Sequence, residues 1–289
     1  MLDVLVDLYG VIKYAWKFYR EIHPVRRIMG IDSSTGIMII TGNVRLGEYV
    51  SRVLSSRELG LENSVVTLLN EAPFAMISGD IITYGEVYHF FRTLYSGKKI
   101  TSYFSDDVRG ISENIQGITQ NIVSIGGPLW NSVTKTIINY YSKLYPHLFN
   151  ISVEIPRVCI VDRRFPDEEI RYKPDFENHG TKMDFGVVAK LPSPNPDETK
   201  LKVIVLFGCT TLGVLGSFYA FKRLLYDKTR VYRNLRNEIL RLKGRIIRRR
   251  DVFFSFITKT LRNGPSTIVN GSMIITDSDG DVLWSQKSS

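Results

Sequence analysis

Two cysteines in 289 residues, Cys159 and Cys209, are too few for a disulfide framework, and neither sits in metal-ligand spacing. A reducing, cytoplasmic setting fits that usage. Four scattered histidines (His23, His89, His147 and His179) form no H-x-x-x-H or H-E-x-x-H pattern, so a metallohydrolase would lack its ligands. No G-x-S-x-G elbow occurs, and neither thiol has a base beside it in sequence, so no catalytic nucleophile is evident. Met1–Arg20 carries no basic n-region, and Asp3, Asp7, Lys13 and Lys17 interrupt any secretory apolar run. Val4, Leu5, Leu8, Val11, Ile12, Ala15 and Phe18 instead recur at helical spacing, which predicts an amphipathic helix and linker over 1–36.

Charge is present but unevenly placed. The formal net charge is +9. Lys222–Arg250 holds 12 Lys/Arg against Asp227 and Glu238, a surplus of ten, so the remainder of the chain is close to neutral. Leu235, Ile239, Leu242 and Ile246 place an apolar stripe inside that basic run, as a helix with one docked face requires. Its solvated face offers a patch for nucleic acid or an anionic membrane surface. Tyr226 and Tyr232 are too few to make a base-stacking platform there.

One uncharged stretch is long, Val203–Phe221. Followed by the basic run, it admits two readings. One is a membrane anchor with a positive flank, in a non-enzymatic membrane or scaffold protein. The other is a buried strand over Lys202–Phe207, a glycine turn, and a core helix from Leu212, broken near Asp227. β-Branched Val203, Ile204 and Val205 favour the strand, and Gly213, Gly216 and Ser217 on a common side suit close helix–strand packing.

Strand-like and helix-like segments alternate over 37–145, which predicts a Rossmann-like α/β domain over 37–225 with a mostly parallel sheet. The segment 226–289 reads as the basic helix and a β-rich C-terminal addition, ending in a hairpin turn at Asp277–Asp281. That turn resembles a calcium loop only superficially, because its glycine is misplaced and no glutamate follows. The section 150–200 reads as hairpins and long loops.

Several turns lie where strands end and helices begin. There, unpaired N–H groups and the helix dipole favour phosphates and carboxylates. Gly126-Gly127-Pro128 follows an apolar strand, with Asn131 in the first turn of the helix beyond. Gly208-Cys-Thr210-Thr precedes the second such helix, but the P-loop Lys-Ser/Thr is missing and the dinucleotide pattern lacks its first close glycine pair. Asp80 and Asp106 follow two further apolar stretches, suited either to a ribose hydroxyl or to capping the next helix, and Asn43 follows the first strand. In a parallel sheet all of these face one edge, where ligands of open α/β sheets bind. Asn43, Asp80, Asp106, Gly126, Gly127, Asn131, Gly208 and Thr210 therefore form the expected site for a nucleotide, a dinucleotide or a similar anionic small molecule, in a sensor or a hydrolase. Glu86 and His89, three apart on one helix, read as a solvated pair.

Ile125-Gly-Gly-Pro-Leu-Trp-Asn131, Asp184-Phe-Gly-Val-Val188, Pro194-Asn195-Pro196 and the Val203–Gly216 strand-turn-helix occur in that order. Together they resemble an uncharacterised family of prokaryotic Rossmann-like α/β proteins with the same succession of motifs. Val214 stands where that family often has threonine. The resemblance spans roughly residues 37–225 and implies a soluble domain of unknown activity.

Overall fold

A computed structural model of the chain describes residues 21–31, 34–42, 78–154, 159–166, 168–177, 180–245 and 251–286. The strands expected at Ser64–Leu69 and Phe74–Ile77, most of the N-terminal helix and the helix at 44–57 lie outside these residues.

Four strands form a parallel block: β1 (Ile37–Thr41), β2 (Ile100–Phe104), β3 (Asn121–Ile125) and β9 (Val203–Gly208). β1 lies between β2 and β3, and β3 pairs with β9. β8 (Gly180–Leu191) pairs antiparallel with β9. Beyond it come β10 (Phe253–Leu261), β12 (Ile274–Thr276) and β13 (Val282–Ser285), with β7 (Asp175–Glu177) and β11 (Ser266–Ile268) attached to β8 and β10. The ten-stranded sheet thus has three parallel pairings against six antiparallel ones.

This corrects the expectation of a Rossmann-like, mostly parallel sheet. The reason is connection length and content. A parallel crossover needs about a dozen residues, usually a helix. The 192–202 link between β8 and β9 holds no helix, so those strands form a wide hairpin. Nor are the C-terminal strands an addition, because β10 is bonded along eight residues to β8.

The helices are α1 (His23–Met29), α2 (Ser78–Leu94), α3 (Arg109–Glu113), α4 (Ser132–Leu144), α5 (Thr211–Tyr226) and α6 (Arg230–Arg245). Val203, Val205 and Phe207 of β9 point to one face of the sheet and Ile204 and Leu206 to the other, and both sets are buried. On one face lie α1, α2, α5 and α6, with Phe90, Phe218, Phe221, Leu224 and Ile239 in the core. On the other lie α4 and a second antiparallel sheet, β4 (Ile151–Glu154), β5 (Cys159–Asp162) and β6 (Ile170–Tyr172). Fully buried Arg164 bolts this small sheet to the large one: its guanidinium grips Asp162 at 2.6 and 2.8 Å and donates to Ser255 Oγ and the Ser272 carbonyl.

Val203–Phe221 is therefore a central strand, a turn and most of a helix. No described helix is long and apolar enough to cross a membrane. The helical run breaks at Asp227, whose carboxylate accepts from Thr229 N–H at 2.8 Å. α6 buries Tyr232, Leu235, Ile239 and Leu242 at intervals of three and four, as its sequence stripe predicts, while Ile246 lies outside the described residues. α5 approaches the sheet closely because it is glycine-faced. A Cβ on Gly213 would lie 2.2 Å from the Phe185 carbonyl oxygen, and one on Gly216 1.7 Å from Thr260 Oγ1.

Candidate functional site

Parallel pairing puts the C-terminal ends of β2, β1, β3 and β9 on one sheet edge, as expected. At its centre the turns converge. Gly126, at φ 101°, donates its N–H to the Leu206 carbonyl on β9 at 2.9 Å. A Cβ on Gly127 would meet the Gly208 carbonyl at 3.6 Å, so these glycines are neighbours. Asn131 is fully buried and caps α4, accepting from Thr134 N–H at 3.0 Å. Its amide donates to the Ile125 carbonyl at 2.9 Å and to Ser124 Oγ at 3.1 Å, pinning the helix start to β3. Thr210 caps α5, accepting from Leu212 N–H at 3.3 Å.

Asp106 stands apart. It is half-buried in the turn after β2, the outermost of the described parallel strands. Three strand spacings separate β2 from β9, roughly 15 Å. Asp80 lies in the first turn of α2, with its side chain outside the described residues, as is the whole of Asn43.

The donors at the start of α5 already hold an anion, and it belongs to the protein. Asp184 Oδ2 accepts from Thr210 N–H at 2.9 Å, Thr210 Oγ1–H at 2.6 Å and Gly213 N–H at 2.6 Å. Its Oδ1 takes Phe185 N–H at 2.7 Å. The side chain is fully buried. Burial pushes its carboxyl above the usual carboxylate range, against the pull of those four donors. The aspartate of the Asp184–Val188 motif thus fills the site that the glycine turn would offer a phosphate.

Free space lies at the opposite edge, where the parallel strands begin. A cleft of about 880 Å3 opens there, lined by Arg27, Lys200, Lys202, Lys243, Asp251 and Asp279 among its charged residues. Four cations face two carboxylates. Asp251, in the approach to β10, is the hub: its Oδ1 meets Lys243 Nζ at 2.7 Å and Lys190 Nζ at 3.1 Å, and its Oδ2 meets Lys202 Nζ at 3.5 Å.

Main-chain carbonyls fix each ammonium in place. Lys190 Nζ donates to the Ile28 and Val252 carbonyls at 3.0 and 2.8 Å, and Lys202 Nζ to the Lys200 carbonyl at 2.8 Å. Lys243 Nζ donates to the Arg27 carbonyl at 2.7 Å. Both Lys190 and Lys202 also lie against the Phe253 ring, 5.3 and 5.6 Å from its centroid.

One carboxylate shared by three ammoniums gains more than each ammonium does. Burial pushes Lys190 down to about 7, with Lys243 and Lys202 adding to the effect and Asp251 opposing it. For Asp251, burial acts upward but is outweighed by Lys190, Lys243 and Lys202, which bring its carboxyl down to about 2. Arg27 and Lys200 are exposed on the rim.

An aromatic wall faces this cluster. Tyr140 Oη donates to the Pro194 carbonyl at 3.2 Å, and Tyr141 Oη to the Pro192 carbonyl, so the end of α4 clamps the 192–196 loop. Tyr145 sits against the Gly280 turn, where a Cβ would meet its ring at 3.1 Å. Burial raises its phenol above the ordinary value.

These residues are scattered from Arg27 to Asp279, and no local motif joins them. One sequence signal was available: Lys190 interrupts the apolar strand Gly186–Leu191, and a lysine inside a buried strand requires a partner.

Elsewhere, Glu86 pairs with Lys222 at 3.3 Å on the surface, and Cys159 and Cys209 are both free thiols. The Asp277–Asp281 segment is a hairpin turn, with Asp277 Oδ1 accepting from Asp279 and Asp281 N–H groups at 2.9 and 3.1 Å. Among the described residues no three His, Cys, Asp or Glu side chains gather to hold a metal ion. Compared with known protein families, curated proteins and solved structures, the chain matches none.

Proposed function

We propose that this protein binds an anionic small molecule, and that the ligand lies in the basic cleft at the N-terminal edge of the parallel strands. The observation that carries this reading is Asp251 with its two cleft-lining ammoniums, Lys202 and Lys243, beside Arg27 and Lys200 in a cavity large enough for a small ligand. Both of those ammoniums are held by backbone carbonyls, so the positive field is preorganised and an incoming anion orders little. Exposed Arg27 and Lys200 extend that field to the solvent and steer anions inward. The reading moves the ligand away from the glycine turns, since Asp184 already occupies the donors at α5 and the Gly126 N–H is bonded to the Leu206 carbonyl.

The test is thermal unfolding of the full chain against inorganic pyrophosphate, with sodium chloride matched for ionic strength. A ligand of the folded state raises Tm with concentration. The rise is expected to fall away in the double variant Arg27→Gln, Lys200→Gln, both of whose sites are on the rim. A Tm that responds to pyrophosphate and chloride alike refutes the reading.

A further inference from the structure

The cleft has two chemically different ends, and together they narrow the ligand class. Among the charged residues that line it, the four cations Arg27, Lys200, Lys202 and Lys243 outnumber the carboxylates of Asp251 and Asp279 by two positive charges. A ligand carboxylate would balance one of them. A phosphate monoester, at about −1.5 to −2 near pH 7, balances both.

The other end presents aromatic and proline rings, with Ser193 and Asn195 between the prolines. Tyr140 and Tyr145 project from the end of α4, and Pro192, Pro194 and Pro196 line the loop opposite. The tyrosine–carbonyl clamp fixes that loop, so the wall is formed before any ligand arrives. The three prolines lack N–H donors and Asn195 spends its side-chain amide on the Ile118 carbonyl at 2.8 Å, so the loop offers few donors to a ligand while its pyrrolidine rings suit a ring face. Half-buried Tyr145, braced by the Gly280 turn, lines the cleft and supplies a ring against which a base can lie.

Resting on the anion-binding reading, we infer that the ligand is an aromatic phosphate ester of the nucleoside phosphate class. Its phosphate lies among Arg27, Lys200 and Lys243, and its base lies against Tyr145.

Isothermal titration of the full chain at fixed ionic strength, with AMP, ribose 5-phosphate, adenosine and inorganic pyrophosphate as probes, tests this. AMP is expected to bind at least ten-fold more tightly than ribose 5-phosphate, and adenosine more weakly than AMP. Tyr145→Ala is expected to abolish the advantage of AMP over ribose 5-phosphate while pyrophosphate binding persists. Tyr145→Leu keeps the bulk against Gly280, and it carries the same expectation if the alanine variant fails to fold. Ribose 5-phosphate binding as tightly as AMP overturns this inference and leaves the anion reading standing. AMP binding untouched by the folded Tyr145 variant overturns the placement of the base. If none of the phosphates binds, the anion reading fails with it.

Discussion

Removing the Asp184 carboxylate should be among the most damaging single changes to this fold. The substitution Asp184→Ala strips an acceptor from Thr210 N–H, Thr210 Oγ1–H and Gly213 N–H, and a second from Phe185 N–H. Hydrogen bonds to a charged group contribute roughly 1.5–3 kcal/mol each, but bonds to one shared group are not additive. Gly213 is buried under β8, so its N–H would be left unsatisfied, whereas half-buried Thr210 can turn to water. A loss of about 4 kcal/mol is the expectation, a large fraction of the ~5–15 kcal/mol that stabilises a typical domain.

Asp184→Asn separates charge from shape. Its amide oxygen can take the Oδ2 position and keep three donors, while its NH2 group opposes Phe185 N–H. A loss of about 1–2 kcal/mol follows. Urea unfolding followed by circular dichroism reads both values. If the carboxylate acts as the anion of the α5 terminus, formate should also stabilise the alanine variant and leave the wild type unmoved. An alanine variant within ~1 kcal/mol of wild type refutes the reasoning.

Two other perturbations follow from the geometry. Asp251, held at about 2 when folded, contributes stability that is fully present above its unfolded value near ~4 and is lost as pH falls from there through about 2. The stability gap between wild type and Asp251→Asn should therefore close on acidification, as read by urea midpoints at several pH values. Lys190 has the opposite sign of consequence. Folded at about 7 and unfolded near ~10.4, it penalises the folded state most below pH 7, so stability should rise between those values and Lys190→Met should lack the rise. Gly216→Ala forces a methyl to within 1.7 Å of Thr260 Oγ1 and 2.6 Å of Thr260 Cβ, so α5 must lift from the sheet. The expected cost is ~3 kcal/mol by chemical denaturation, and an unchanged midpoint would contradict the packing.

Much of the local structure was legible because short-range patterns decide it. β1, β2, β3 and β9 were marked by apolar runs ending at turns, and the glycine face of α5 by Gly213 and Gly216. The break at Asp227 and the buried stripe of α6 also follow from spacing alone. Strand direction was not legible in the same way. Phe185–Lys190 and Lys202–Phe207 look like parallel-sheet strands because both faces are buried, and their hydropathy says nothing of the hairpin between them. At the site, the glycine turns showed where donors converge. What remained hidden was Asp184, 26 residues before Thr210, reaching those donors first. The lysine cluster brings together residues up to 61 positions apart, and only folding gives them a common carboxylate.

The meeting of parallel and antiparallel blocks has a consequence for how the chain assembles. β8 and β9 lie close in sequence and pair across the 192–202 link, so their contacts close a short loop, whereas β10 meets β8 at separations of 64 to 78 residues. β3 must find β9 across nearly eighty residues, and among the described strands β1 and β2 join the sheet through β3. The long-range register between Ile122–Ile125 and Val203–Leu206 is then a kinetic seam: a C-terminal template offers the free edge of β9, and the N-terminal strands add to it in the order β3, β1, β2. Amides of β8 and β9 should gain protection from exchange earliest during refolding, and those of β2 last.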